Sequence, residues 1–362
     1  MRLNKAVPLT RWTTSRGSRF SSFRFMIAVL AIALFLGLAA LPSKLLAQDV
    51  TAGTCRKGNA RVFPGLDQIY VRDEFRIIYA LEGRHALTNV QDFNRNGIPD
   101  QVEDVATQLV VGRRLFSDVI GLTHILEQPR YQFASSIDVF LLDLKRGNGL
   151  SYDEVMNYRF DFDGAEGHCA LRMDIKNTLS NQNVTPAHEL FHQYQYGYTM
   201  FKARWFLEGT ARWAEYTLRP GYGAQATLPQ TTKDLQKQVF SQTYAAGKIW
   251  NRLGTILDPA GRLPLPPDLK RQVYVDGSPV IHGDMPRGAS FMKGAFEALA
   301  KASDEVSARN AWDRYNWAEQ DQRSSAHDQE MLRAILGVAD RKASERDISS
   351  SELDGFLKLD PH

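Results

Sequence analysis

The chain has 362 residues, 43% of them hydrophobic, with 44 basic residues against 41 acidic. That is material for one large core or two modest domains, and it excludes a globally disordered chain. Seven of the basic residues precede residue 48, so the remainder carries 37 against 41 acids, net −4, and no nucleic-acid partner is expected.

Arg2, Lys5, Arg11, Arg16, Arg19 and Arg24 open the chain with no acid among them, residues 25–42 carry no charge, and Ala47 follows. Basic start, apolar run and small residue read as an export signal over 1–47. An uncleaved anchor through residues 25–42 is the competing reading, since the run approaches the length of a membrane span. In both readings the rest of the chain is exported, to the periplasm or beyond the cell, and membrane contact is expected only if the segment stays. Cys55 and Cys169 are the two cysteines, and an even pair in an oxidising compartment predicts one disulfide. A nucleophilic Cys169 with His168 as its base is disfavoured, because neighbours on a strand point to opposite faces. His168 reads as structural.

A first strand is predicted over 70–81, with Phe75, Ile77 and Tyr79 on one face. Residues 92–103 then fit the twelve-residue calcium loop at every position. Asp92, Asn94 and Asn96 offer oxygens at positions 1, 3 and 5, Gly97 allows the turn, Ile98 supplies a carbonyl, and Asp100 and Glu103 stand at 9 and 12. The bland alternative is an Asx-rich turn that only caps the next helix. A strand precedes the loop, so this would be half an EF-hand, fastening the fold. The helix leaving it is expected over 99–121, with Val102, Val105, Leu109, Phe116 and Ile120 on one face. A second strand is expected over 137–144. The stretch 151–167 reads as a loop whose Tyr152, Tyr158, Phe160 and Phe162 pin it down or line a cleft, the first being favoured. A third strand follows over 169–175.

Next comes Thr185-Pro186-Ala187-His188-Glu189-Leu190-Phe191-His192. On a helix His188 and His192, four apart, share a face and can present two imidazole nitrogens to one metal ion, with Glu189 beside them to handle a proton. Thr185 is the expected N-cap and Pro186 the first helical residue. A catalytic zinc takes three protein ligands and keeps one position open, so a third donor is required. Glu208 is the candidate, on Trp205-Phe206-Leu207-Glu208-Gly209-Thr210-Ala211-Arg212-Trp213-Ala214-Glu215, where Leu207, Ala211 and Ala214 form the buried stripe. Glu215, two turns on, either orients a histidine or is itself the third ligand. Beyond it, residues 220–230 are a turn-rich break and 263–286 a connector. Helical periodicity returns over 289–301 and 327–336, giving a mostly helical subdomain over 220–340 and a loose charged tail over 341–362. The chain shows no internal repeat, no Gly-rich phosphate loop and no Gly-x-Ser-x-Gly elbow.

His-Glu-x-x-His followed by Trp-x-x-Glu-Gly-x-Ala resembles the gluzincin metallopeptidases, the thermolysin-like clan in which a glutamate from a second helix completes a two-histidine zinc site. More narrowly, residues 70–220 are similar to poorly characterised bacterial secreted metalloproteases with a calcium-loop-like segment upstream of the zinc helix. The resemblance implies an α+β, zincin-like fold: a small mixed sheet packed on an active-site helix within residues 48–219, and the helical subdomain across the cleft. It implies zinc on His188, His192 and Glu208, Glu189 as general base, and a peptide or protein substrate lying along the strand at 169–175 as a sheet edge. An oxyanion helper is implied from the helical part, with Tyr216, Tyr244, Tyr274, His282 and Tyr315 as candidates. The rival functions are a calcium-stabilised extracellular binding or surface module with a structural or inactive zinc site, and a membrane-anchored interaction protein.

Overall fold

A computed structural model describes residues 55–61, 65–159, 169–219, 223–259, 261, 263–284 and 287–359. The segment read as an export signal lies outside them, as do Phe160, Phe162 and His168. Strands β1 (Arg56–Arg61), β2 (Gln68–Arg72), β3 (Phe75–Tyr79), β4 (Ser136–Leu142), β5 (Gly149–Ser151), β6 (Met156–Arg159) and β7 (Cys169–Lys176) form one mixed sheet. Its order is β1-β6-β7-β4-β3-β2, with β5 also paired to β7. The β3, β4 and β7 strands run parallel at its centre, β2 is antiparallel to β3, β5 and β6 are antiparallel to β7, and β1 is parallel to β6.

Two expectations change. The single strand over 70–81 is the hairpin β2–β3, because Arg72, Asp73 and Glu74 put three charges in a row and Asp73 takes the left-handed turn conformation at φ 51°. Phe75, Ile77 and Tyr79 do share one face, buried in the main core. Second, β7 is interior rather than an edge, flanked by β4 on one side and by β5 and β6 on the other. The edge beyond β7 at its C-terminal end is the short β5.

Helix α1 (Asp100–Arg114) continues as a π turn over Leu115–Val119 and stops at Gly121, where φ is 81°. Val102, Val105, Leu109, Phe116 and Ile120 are all buried, as their spacing predicts. Helix α2 (Thr185–Tyr198) lies beside α1 under the sheet. Its start differs by one residue from the expectation: Val184 is the N-cap and Thr185 is itself helical, while Asn183 Oδ1 accepts from the Thr185 N–H at 2.9 Å and the Thr185 hydroxyl at 2.6 Å. Helix α3 (Arg204–Ala214) turns back to face α2. The chain continues through α4 (Thr232–Leu235), α5 (Gly247–Leu257), α6 (Pro267–Lys270), α7 (Ala289–Asn310), α8 (Glu319–Gln322), α9 (Asp328–Glu345) and α10 (Ser351–Leu357).

The fold is therefore α+β. Residues from Thr51 onward form one unit, in which the later helices share the core of α1 to α3. Phe296 of α7 packs its ring against Phe191 of α2 at 5.7 Å and Phe206 of α3 at 5.6 Å. The tail expected to be loose over 341–362 is structured as far as it is described: α9 runs to Glu345, and α10 buries Leu353 and Phe356. Cys55 and Cys169 are disulfide-bonded, with Cα atoms 5.7 Å apart. Among the described residues no helix is long and apolar enough to cross a membrane.

Candidate metal centre

The α2 helix is apolar toward the sheet and α1, where Leu190, Phe191 and Tyr194 are fully buried, and this fixes its rotation. His188 and His192 then fall on the side facing α3, with ring centroids 4.6 Å apart. Each ring is held through Nδ1. His188 Nδ1 bonds Glu215, and His192 Nδ1 bonds Gln195 Oε1 at 2.5 Å. A neutral imidazole whose Nδ1–H is donated to an acceptor leaves the Nε2 lone pair as its free ligand. Both Nε2 atoms point at one oxygen: Glu208 Oε2 lies 3.2 Å from His188 Nε2 and 3.8 Å from His192 Nε2. Ligand atoms of His188, His192 and Glu208 all lie within 4.8 Å of one another, and among the described residues no other three His, Cys, Asp or Glu residues converge so closely. Two imidazoles and a carboxylate around one point fit a divalent ion of the zinc type.

The placement of Glu208 follows from its neighbours in Trp-x-x-Glu-Gly-x-Ala. Trp205 is anchored by its indole N–H on Asp328 Oδ1 at 2.7 Å and by stacking on Trp250 of α5, 6.1 Å between centroids. Gly209 lets α5 come close, since a Cβ there would sit 2.7 Å from Trp250 Nε1 and 3.0 Å from Ala246 Cβ. Ala211 is fully buried. Gln195, after holding His192, donates to the Leu207 carbonyl at 2.8 Å and Thr210 Oγ1 at 2.5 Å, tying α2 to α3 at the height of the site.

Compared with models of known protein families, with curated proteins and with solved structures, the chain matches none. The reading of the site rests on its own geometry.

Glu189 is buried beside Gly149 of β5, where a Cβ would come within 2.6 Å of Glu189 Cγ. Burial, and then the Glu208, Glu215 and Asp174 carboxylates, lift the Glu189 carboxyl to about 7 against the pull of His188. Burial and the His188 charge push His192 down to about 4, keeping it neutral. For His188 burial opposes a charge, but Glu208 and Glu215 outweigh it and hold the metal-free imidazole up at about 10. Of the five oxyanion candidates, Tyr244 alone stands at the centre among the described residues: its ring centroid lies 5.9 Å from that of His188. Tyr274 instead accepts from Gln108 Nε2 at 2.7 Å, Tyr315 lies against Arg314, and Tyr216 and His282 have no described contact with the site.

The loop 92–103 folds with its oxygens turned inward. Asp92 accepts the Asn96 N–H at 3.1 Å and the Gly97 N–H at 2.8 Å, Asn96 Oδ1 accepts the Ile98 N–H at 2.8 Å, and Asp100 accepts the Phe93 N–H at 3.1 Å. Gly97 has φ 88°, the conformation only glycine adopts freely. Glu103 is met by the amide nitrogens of Asn94 and Asn96, each at 2.8 Å. The donor set, three carboxylates with amide and carbonyl oxygens, suits a hard cation such as calcium, which would replace those two donors at Glu103.

Tyr152 and Tyr158 pin their segment. Tyr158 packs on Phe140 at 5.6 Å, and Tyr152 bonds Asp174 at 3.0 Å under the Arg172 guanidinium. Gln193 of α2 fastens β5 above the helix, donating to Ser151 Oγ at 2.9 Å and the Tyr152 carbonyl at 2.9 Å. Gly149, Gln193, Gln195 and Arg212 all serve the site and carry no motif; Gln195 alone has a signal, standing three residues after His192 on the same helix.

Proposed function

We propose that the protein is an exported zinc-dependent endopeptidase with a zincin-like arrangement of sheet, α2 and α3. The observation that carries this is the convergence of His188 Nε2, His192 Nε2 and Glu208 on one point with both Nδ1 positions already taken and Glu189 alongside. His188, His192 and Glu208 would hold the ion; Glu215 and Gln195 orient the histidines. A bound zinc supplies Lewis acidity toward a carbonyl and makes water a usable nucleophile near neutral pH. Glu189, lifted to about 7, takes the proton of the attacking water and returns it to the leaving amine. Tyr244 keeps its hydroxyl protonated, burial and Glu208 raising it to about 12, and can donate to the oxyanion as it forms. An extended substrate would join the outer edge of β5, which has no strand partner but β7 among the described residues and lies next to Glu189.

Calcium on Asp92, Asn94, Asn96, Ile98, Asp100 and Glu103 would fasten the start of α1, against which α2 packs. A calcium-stabilised binding module with a structural zinc is less favoured, because structural zinc sites close with four protein ligands and, among the described residues, three converge here.

The test is metal analysis together with a casein cleavage assay on the mature chain and its Glu189→Gln variant. Zinc is expected in both and cleavage only in the first. Equal cleavage in both removes Glu189 from the mechanism, and a metal-free wild type removes the mechanism itself.

A further inference from the structure

Glu215 is 3% exposed and shares its surroundings with Glu189 and Glu208. Three carboxylates around two imidazoles carry one negative charge more than a divalent ion offsets, and an uncompensated buried charge is costly. The neighbouring cation is Arg212, three residues earlier on α3. Its Nη1 lies 2.7 Å from Glu215 Oε2, the oxygen left over when Oε1 takes His188 Nδ1. The same guanidinium lies over the face of Tyr244, 4.9 Å from the ring centroid. Tyr244 in turn stands beside the His188 ring, 5.9 Å between centroids.

We infer that Arg212 is a positioning residue of the metal centre, one guanidinium holding Glu215 against His188 and Tyr244 beside the His188 ring. Its planar shape matters: an ammonium can offset the Glu215 charge but cannot also stack on the ring. Packing supports this placement, since Gly247 of α5 must lack a side chain for the Arg212 stem to pass, a Cβ there falling 2.8 Å from Arg212 Cβ.

The inference rests on the proposed zinc site, and the test separates the two. Zinc affinity is measured by competition with a chromophoric chelator for wild type, Glu215→Gln, Arg212→Ala and Arg212→Lys, with near-UV tyrosine circular dichroism and melting temperature alongside. Orienting partners of metal-bound histidines are worth about 10- to 100-fold in affinity. Arg212→Ala should lose affinity in that range, as Glu215→Gln does, and lose the Tyr244 signal, identified by subtraction of Tyr244→Phe. Arg212→Lys should keep most of the affinity and still lose the Tyr244 signal. Wild-type affinity in Arg212→Ala, with Glu215→Gln weakened, overturns the role of Arg212 and leaves the zinc site standing. So does a melting-temperature drop in both Arg212 variants with affinity and tyrosine signal unchanged. Absence of zinc binding in the wild type brings down both.

Discussion

The position of the Glu189 carboxylate is set by what is missing opposite it. Gly149 presents bare backbone to the side chain, and a Cβ there would stand 2.6 Å from Glu189 Cγ and 2.8 Å from its Oε1. Gly149→Ala should therefore displace the base while leaving His188, His192 and Glu208 free to bind. Misplacement by about 1 Å costs on the order of 100-fold in rate. Zinc content unchanged with kcat/KM reduced by about that factor is the expected outcome, and an unimpaired variant would show that Glu189 has room to spare. Contacts of this kind explain what the sequence conceals. His188, Glu189 and His192 are readable because a helix brings residues four apart together whatever the fold. Gly149 lies forty positions from Glu189, and nothing in Arg146-Gly147-Asn148-Gly149 says which side chain it must avoid. Gln195 stands at helical spacing from His192, but a polar residue there has no meaning until α3 covers that face.

Helices and strands differ in how much of themselves they announce. The apolar faces of α1, α2 and α3 follow their spacing, and α5 carries Ile249, Leu253 and Leu257 at helical intervals, all buried. What spacing cannot show is that α5 packs on α3 and fixes Glu208 through Trp250 and Gly209. Strands β5 and β6 hide in a stretch rich in aromatics and acids because they are short and their partner, β7, comes later in the chain. The inward-folded turn over 92–103 is legible position by position, and its energetics belong to the start of α1. Burial, with Asp276, Asp100 and Glu103 nearby, raises the Asp104 carboxyl to about 6. An aspartate with its folded pKa raised above the ordinary 3.8 lowers stability above pH 6, and the loss is recovered as pH falls through 6 toward 3.8. A cation bound in the loop would offset this crowding of charge. Calcium should raise the melting temperature, by about 2.7 kcal/mol of stability at a hundredfold excess over its Kd, and the gain should be larger at pH 7.5 than at pH 5. Glu103→Gln should shrink it at both. A melting curve indifferent to calcium and chelator alike would leave the loop as a hydrogen-bonded turn.

At the scale of the whole molecule, the sheet half and the helical half meet through a buried ionic cluster on the His192 side of the centre. Asp153, between β5 and β6, pairs with Arg130 Nη2 at 2.5 Å and Lys202 Nζ at 3.1 Å. Lys202, in the turn from α2 to α3, also reaches Glu319 of α8 at 2.8 Å and stands over the Tyr196 ring, which stacks on His192. One carboxylate thus joins the loop beside β5, the α2–α3 turn and, through Lys202, helix α8. Burial alone would raise Asp153, but Arg130 and Lys202 outweigh it and hold its carboxyl below the ordinary 3.8. A carboxyl so depressed contributes its stability at every pH above 3.8, and the contribution disappears as acid protonates it through the lower folded value. Removing the charge while keeping the shape, as in Asp153→Asn, takes the carboxylate from buried Arg130 and leaves Lys202 with Glu319 alone, and should cost about 3–5 kcal/mol at pH 7. Urea unfolding of wild type and variant, followed from pH 7 down to pH 2.5, should show the gap between them narrowing only below about pH 4. A gap independent of pH would mean that Asp153 acts through packing, and that the two halves are joined by the aromatic core of Phe191, Phe206 and Phe296 alone.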